Sequence, residues 1–163
     1  MSDKPLRQAV ALVFREGDQV WAFRRSETKE VYKGLWSIPS TYVEDGESAV
    51  AAAARVASRK LGLQSVTIAP LPLGNSGPQE KPDWYLDMAV YEVVSYEGAF
   101  SISPGEYVEM RLVSTQELYD LVNAQQVEDA GECTKTFLKS EGVCSLSASC
   151  QATTLQMNKY LLL

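Results

Sequence analysis

The chain contains no histidine. That absence removes reactions relying on an imidazole base near neutral pH, Ser-His-Asp and Cys-His nucleophilic machinery among them. Cysteine is scarce: Cys133, Cys144 and Cys150 are the only three, all toward the C-terminus. An odd, clustered count makes a poor disulfide framework, and without short paired spacings or an imidazole it offers no structural zinc site. Reduced, buried thiols are expected instead. Missing too are a basic-then-apolar leader with a cleavage site and any apolar run approaching the ~20 residues needed to span a bilayer. The expectation is a soluble protein of the reducing cytosol, cytoplasmic and without a membrane partner. Positive charge is the minority sign, with a net charge of −6 and a pI near 4.7. The resulting field repels a phosphate backbone, so no nucleic acid polymer is expected as partner. A local basic patch can still hold one small phosphate ester, because short-range contacts outrun the global field within about 10 Å in ~0.1 M salt. Chemistry is left to carboxylates, lysine, tyrosine, cysteine or a bound metal.

What is present suffices for one packed core: 163 residues, 45% of them hydrophobic, match the usual size of a single domain. The domain is expected over residues 1–141. A tail over residues 142–163 alternates Ser, Cys, Ala and Thr before Tyr160-Leu161-Leu162-Leu163, an apolar patch suited to docking on the core or on a second subunit. Residues 8–14 and 20–23 are apolar runs around Glu16-Gly17-Asp18 and predict a hairpin. Trp36-Ser37-Ile38-Pro39 and Tyr42-Val43 predict short edge or bent strands, since Pro39 has no amide proton for an interior ladder. Residues 47–61 are Ala-rich, with Ser48 as N-cap and Gly62 as stop, and predict a helix burying Val50, Ala54, Ala57 and Leu61. Strands are expected at 65–73, 84–94 and 107–113, with an exposed loop over 74–83. Ser114-Thr115-Gln116-Glu117 is a capping box opening a helix to about residue 123, and another helix fits 132–139. The fold class is therefore α/β, a mixed β-sheet sandwiched between α-helices.

The stretch from Gly34-Leu35-Trp36 through Tyr42-Val43-Glu44-Asp45-Gly46-Glu47-Ser48, followed by Arg55 and Leu61-Gly62-Leu63, resembles the Nudix box of MutT-like hydrolases and its lead-in. The family pattern is Gly, five residues, Glu, seven residues, Arg-Glu, an aliphatic, any residue, Glu-Glu, any residue, Gly, an aliphatic. Glu47, Arg55, Gly62 and Leu63 fall on their places. Phe23-Arg24-Arg25 and residues 106–118 look like the family's early hairpin and late strand and helix, so the resemblance covers roughly residues 8–139. It implies the Nudix fold and a diphosphate substrate held through Mg²⁺ or Mn²⁺.

The departures bear on function. Thr41 stands for the first Gly, Val56 for the Glu after the Arg, and Arg59 and Lys60 for the Glu pair. Hard dications need several oxygen ligands. A lysine ammonium repels a unit charge by about 4 kcal/mol at roughly 4 Å and an effective dielectric of about 20, and a dication by twice that. No metal or other cofactor is therefore expected beyond weak Mg²⁺ or Mn²⁺ binding through Glu44, Glu47 and Glu106. The leading reading is a protein that binds a nucleotide or other phosphorylated small molecule through Arg24, Arg55, Arg59, Lys60 and Trp36 without efficient metal-dependent hydrolysis. The alternatives are a pyrophosphohydrolase of altered mechanism, with Glu47 and Glu106 as catalytic acids or bases, and an interaction module, with a homodimer compatible with each. Plainer roles stand beside these: Glu47 complementing the helix dipole, Arg55 and Arg59 as a solvated face, Lys60 paired with Glu106, and Trp36 and Trp84 as core or rim aromatics.

Overall fold

The computed structural model describes residues 3–29, 32–124 and 132–143. In chain order the elements are β1 (Leu6–Val13), β2 (Arg15–Glu16), β3 (Gln19–Arg25), β4 (Trp36–Ser37), β5 (Ser40–Tyr42), α1 (Ala49–Leu61), β6 (Ser65–Ile68), β7 (Gly74–Asn75), β8 (Gln79–Glu80), β9 (Tyr85–Glu97), β10 (Tyr107–Ser114), α2 (Thr115–Ala124) and α3 (Glu132–Ser140). One sheet runs β5-β1-β9-β6, with β7 and β8 also on β9, and a second runs β10-β3-β2 with β4 on β3. β1 and β9 are parallel while every other pair is antiparallel, so the expected mixed character holds.

Alternation along β1 separates two cores. Ala9, Ala11 and Val13 join Leu86, Met88, Val90, Leu118 and Phe137 on the face covered by α2 and α3. Leu12, with Phe14 just beyond the strand, joins Phe23, Tyr107 and the α1 residues Ala53, Val56, Ala57 and Leu61 on the other. Helices thus cover both faces.

The predicted hairpin survives only in part. β2 pairs with β3 through Arg15↔Val20 and Glu16↔Gln19, whereas β1 pairs with β5 and β9. Phe14, 1% exposed, lies where the chain leaves one sheet for the other, so the apolar run 8–14 belongs to a central strand and not to a hairpin arm. In α1 the buried residues are Ala52, Ala53, Val56, Ala57 and Leu61. Val50 is 62% exposed and Ala54 is also exposed, contrary to expectation. At 100° per residue positions 50 and 54 fall beside buried Ala57 and Leu61, so this side of α1 is buried toward its C-terminal end and open toward its N-terminal end. The strand expected over 65–73 stops at Ile68, before Pro70 and Pro72. The loop 74–83 contains two-residue strands on each side of Gly77, both on β9. β9 itself extends three residues past the expected 94. The capping box forms, with the Glu117 amide donating to Ser114 Oγ at 3.1 Å. Cys133 is free and buried. Cys144, Cys150 and the rest of the tail beyond Val143 lie outside the described residues.

Ser48 Oγ accepts from the Ala51 amide, and Gly62 ends α1 in the left-handed region at φ 68°. A Cβ on Gly62 would lie 2.7 Å from the Ser101 carbonyl oxygen. Gly62→Ala is accordingly expected to cost about 2 kcal/mol or more, from left-handed strain plus this contact. Urea denaturation measures it, and unchanged stability would disprove the packing given for the helix end.

Candidate functional site

Helix α1 presents its box positions to β5 and to the loop ending at Tyr107. Arg55 donates from Nε to Glu47 Oε2 at 3.1 Å and from Nη2 to Glu47 Oε1 at 2.9 Å. The same Nη2 donates to the Tyr42 carbonyl at 2.7 Å, and Nη1 to Thr41 Oγ1 at 3.2 Å. Thr41, where the box pattern has glycine, thus supplies a hydroxyl acceptor. Glu47 Oε1 also accepts from the Glu44 amide at 3.1 Å. Arg55 first, and then that amide, hold the Glu47 carboxyl down to about 2. A carboxylate so stabilised is a weak base at neutral pH. Arg55, expected to bind ligand, instead turns its donors onto the protein and clamps the segment before α1.

Lys60 is placed differently. Its Nζ donates to the Ser40 carbonyl at 2.8 Å and stands 3.7 Å from Glu106 Oε2. Lys29 Nζ approaches the same oxygen at 2.6 Å. The loop after β3 brings Lys29 there, since the Ser26 amide donates to the Glu106 carbonyl and the Lys29 amide to the Ser26 carbonyl. Burial is the main cause lowering the Lys60 ammonium, with Lys29 and Arg25 adding to it and Glu106 opposing. For Glu106, burial pushes upward, but the Lys29 hydrogen bond and the charges of Lys60, Lys29 and Arg25 win and the carboxyl is lowered. Three cations therefore act on one carboxylate. Lys60 and Glu106 were expected as partners. Lys29 and Arg25 were not, because no motif spacing marks the loop that carries one or the face that carries the other.

The remaining expected residues sit apart. Arg24 Nε lies 3.3 Å from Glu109 Oε2, Arg111 pairs with the same carboxylate, and the Arg111 guanidinium lies 4.8 Å from the Trp36 ring centre. Trp36 packs against the α2/α3 core, and strand alternation sends Arg24 to that side and Arg25 toward Glu106. Arg59 is exposed, and its side chain makes no hydrogen bond or ion pair with any described residue. Five of the expected residues thus form two groups on α1's side, Glu47 with Arg55 and Glu44, and Lys60 with Glu106, while Arg24 and Trp36 form a third on the opposite face.

The family model of the NUDIX domain matches residues 4–137. The chain belongs to the Nudix family. Its fold is similar to the solution structure of the E. coli ORF135 protein, at 15% identity and a TM-score of 0.67, covering 88% of this chain and 96% of that one. It is also similar to a MutT protein from Methanosarcina mazei Go1, at 19% identity and a TM-score of 0.67, covering 86% and 96%. A MutT NUDIX hydrolase from Burkholderia pseudomallei matches at 15% identity and a TM-score of 0.62, covering 84% and 98%. At these identities the likenesses establish the fold alone. A search of curated proteins finds no match. Among the described residues, no helix is long and apolar enough to cross a membrane.

Nudix hydrolases generally use Mg²⁺ or Mn²⁺, and the residues present here do not fit such an ion. Val56 is 1% exposed within an apolar cluster. Lys60 brings a cation, Glu47 is bound by Arg55, and Glu106 is bound by two lysines. The weak set Glu44, Glu47 and Glu106 does not converge: among the described residues no three acidic or thiol groups come together as ligands.

The depressed Glu47 carboxyl makes an acid-side prediction. Its folded value, about 2, lies below its ordinary 4.5, so its stabilisation is complete above pH 4.5 and is lost as pH falls toward 2. The melting temperature of the wild type is expected to drop through that window, and Glu47→Gln to flatten the drop. Parallel curves would show that the Arg55 clamp does not contribute.

Proposed function

We propose that this Nudix domain binds a nucleotide or another phosphorylated small molecule by direct contact with Lys60, without efficient metal-dependent hydrolysis. The observation that carries this reading is the Lys60 ammonium at a box position, fixed by the Ser40 carbonyl and sharing Glu106 with Lys29. A phosphate reaching these lysines would meet donors already oriented, in partly buried surroundings where charge-assisted hydrogen bonds are stronger than in water. Arg59, exposed one residue before Lys60, adds a second cation on the approach. Arg55 acts by holding β5 in place, and Arg24 and Trp36 stay outside this contact. The buried free thiol of Cys133 suits a reducing, cytoplasmic setting. A homodimer is compatible with this reading and not required by it.

Calorimetric titration of nucleoside di- and triphosphates, nucleoside diphosphate sugars and dinucleotides, with EDTA present, tests the proposal. Saturable binding is expected, weakened about tenfold or more by Lys60→Met and tightened by Glu106→Gln, which removes the competing anion. Binding that appears only with Mg²⁺, or for none of these esters, rejects it.

Family membership favours a second reading, hydrolysis of a nucleoside-diphosphate-type bond by an altered mechanism. Lys60 would stabilise developing charge, with Glu47 or Glu106 as base. Both carboxyls are held below their ordinary range, which weakens either as a base. Phosphate release assayed with and without Mn²⁺ decides. If turnover exists and Glu47→Gln leaves it unchanged, Glu47 has no part in it.

A further inference from the structure

Three neighbouring strands bring a second group of side chains onto one face of the larger sheet. Arg7 of β1 is in register with Leu86 of β9, and Ala9 with Tyr42 of β5. Trp84 immediately precedes β9, in phase with Leu86. The Arg7 guanidinium lies 3.9 Å from the centre of the Tyr42 ring and 5.5 Å from that of Trp84. It makes no hydrogen bond or ion pair with any described residue, whereas Arg15, Arg24, Arg55 and Arg111 each meet a carboxylate. A second group is unsatisfied beside it: the Trp84 indole Nε1 is buried and has no hydrogen-bond partner among the described residues.

Aromatic contact fixes the plane of a guanidinium while leaving its edge of N–H donors available. That edge suits an oxyanion, which accepts two parallel hydrogen bonds from it. Tyr42 remains 41% exposed, so an apolar ring surface lies open next to those donors. We infer that Arg7, Tyr42 and Trp84 form a binding site for a carboxylate or phosphate carried on a flat aromatic body. The site is separate from the Lys60 contact: along β5, Thr41 faces α1 through its bond to Arg55, so the Tyr42 ring points to the opposite face.

The test follows the indole N–H resonances of the ¹⁵N-labelled full chain, with that of Trp84 assigned by its loss in Trp84→Phe. Phenyl phosphate, benzoate and inorganic phosphate are the probes. A saturable shift of the Trp84 resonance is expected with one or both aromatic anions, tighter than with inorganic phosphate. The dissociation constant should rise about tenfold in Arg7→Gln and also in Arg7→Lys, which keeps the charge but loses the planar fork. The Trp21 and Trp36 resonances report whether each variant keeps its fold. The inference is overturned by the absence of a saturable shift, by equal affinity for inorganic phosphate, or by wild-type affinity in Arg7→Gln. Loss of the shift in Lys60→Met would assign it to the other contact and overturn the inference equally, whereas failure of nucleotides to bind at Lys60 would leave it standing.

Discussion

The close approach of helix α1 to strand β5 governs what this domain presents to a ligand. Alanines at positions 52, 53 and 57 leave little side-chain bulk on the buried stripe, so the helix backbone can settle near the sheet. At that distance Arg55 spans the gap and donates to the Tyr42 carbonyl and the Thr41 hydroxyl, and Lys60 reaches the Ser40 carbonyl. Three consecutive residues of a three-residue strand are thereby tied to one helix. Among the described residues strand β5 is an edge with β1 alone beside it in the sheet, and the helix supplies much of what fixes its position.

This arrangement also decides how charge is used. The net charge of the chain is negative, yet on α1's side the acids are consumed locally, Glu47 by Arg55 and Glu106 by Lys29 and Lys60. A carboxylate locked in a bidentate pair contributes little field at a distance, because its partner cancels it. Around Glu106 the cancellation is incomplete and the remainder is positive. Burial works in the same direction as the neighbouring cations on Lys60, making its ammonium harder to keep charged. An incoming anion would relieve that penalty and a dication would add to it, which is the physical ground for the proposed ligand being an anion.

Local signals in the sequence carried much of the fold. The α1 boundaries followed from Ser48 and Gly62, because an N-cap hydroxyl and a left-handed glycine are needs of the backbone itself. The start of α2 followed from its capping box for the same reason. Pairing was not legible. Apolar runs flanking Glu16-Gly17-Asp18 fit a hairpin equally well whether or not the first arm continues into another sheet, and only tertiary packing sent β1 to β9. Val50 and Ala54 were misassigned because they share a helix side with buried Ala57 and Leu61, and spacing does not show where along that side the packing stops. In the site, box spacing located Glu47, Arg55 and Lys60, and the Lys60–Glu106 pair was expected, but the Glu47–Arg55 pair was not. Lys29 and Arg25 act through a loop conformation and a strand face, neither of which leaves a fixed interval in the chain.

Strand β5 also explains how the two proposed anion contacts would coexist in so small a domain. Alternation along a strand sends successive side chains to opposite faces. Thr41 and the carbonyls of Ser40 and Tyr42 therefore serve the helix, while the Tyr42 ring serves Arg7 across the sheet. Substituting the Tyr42 side chain would leave the Arg55 bond to its carbonyl in place, so the two contacts can be altered independently in this structure. They remain mechanically linked, because any shift of β5 moves both Ser40 and Tyr42. If ligand at one contact draws β5 toward α1, the Tyr42 ring must slide over the Arg7 guanidinium, and the coupling between the sites is then set by how firmly Arg55 holds the strand.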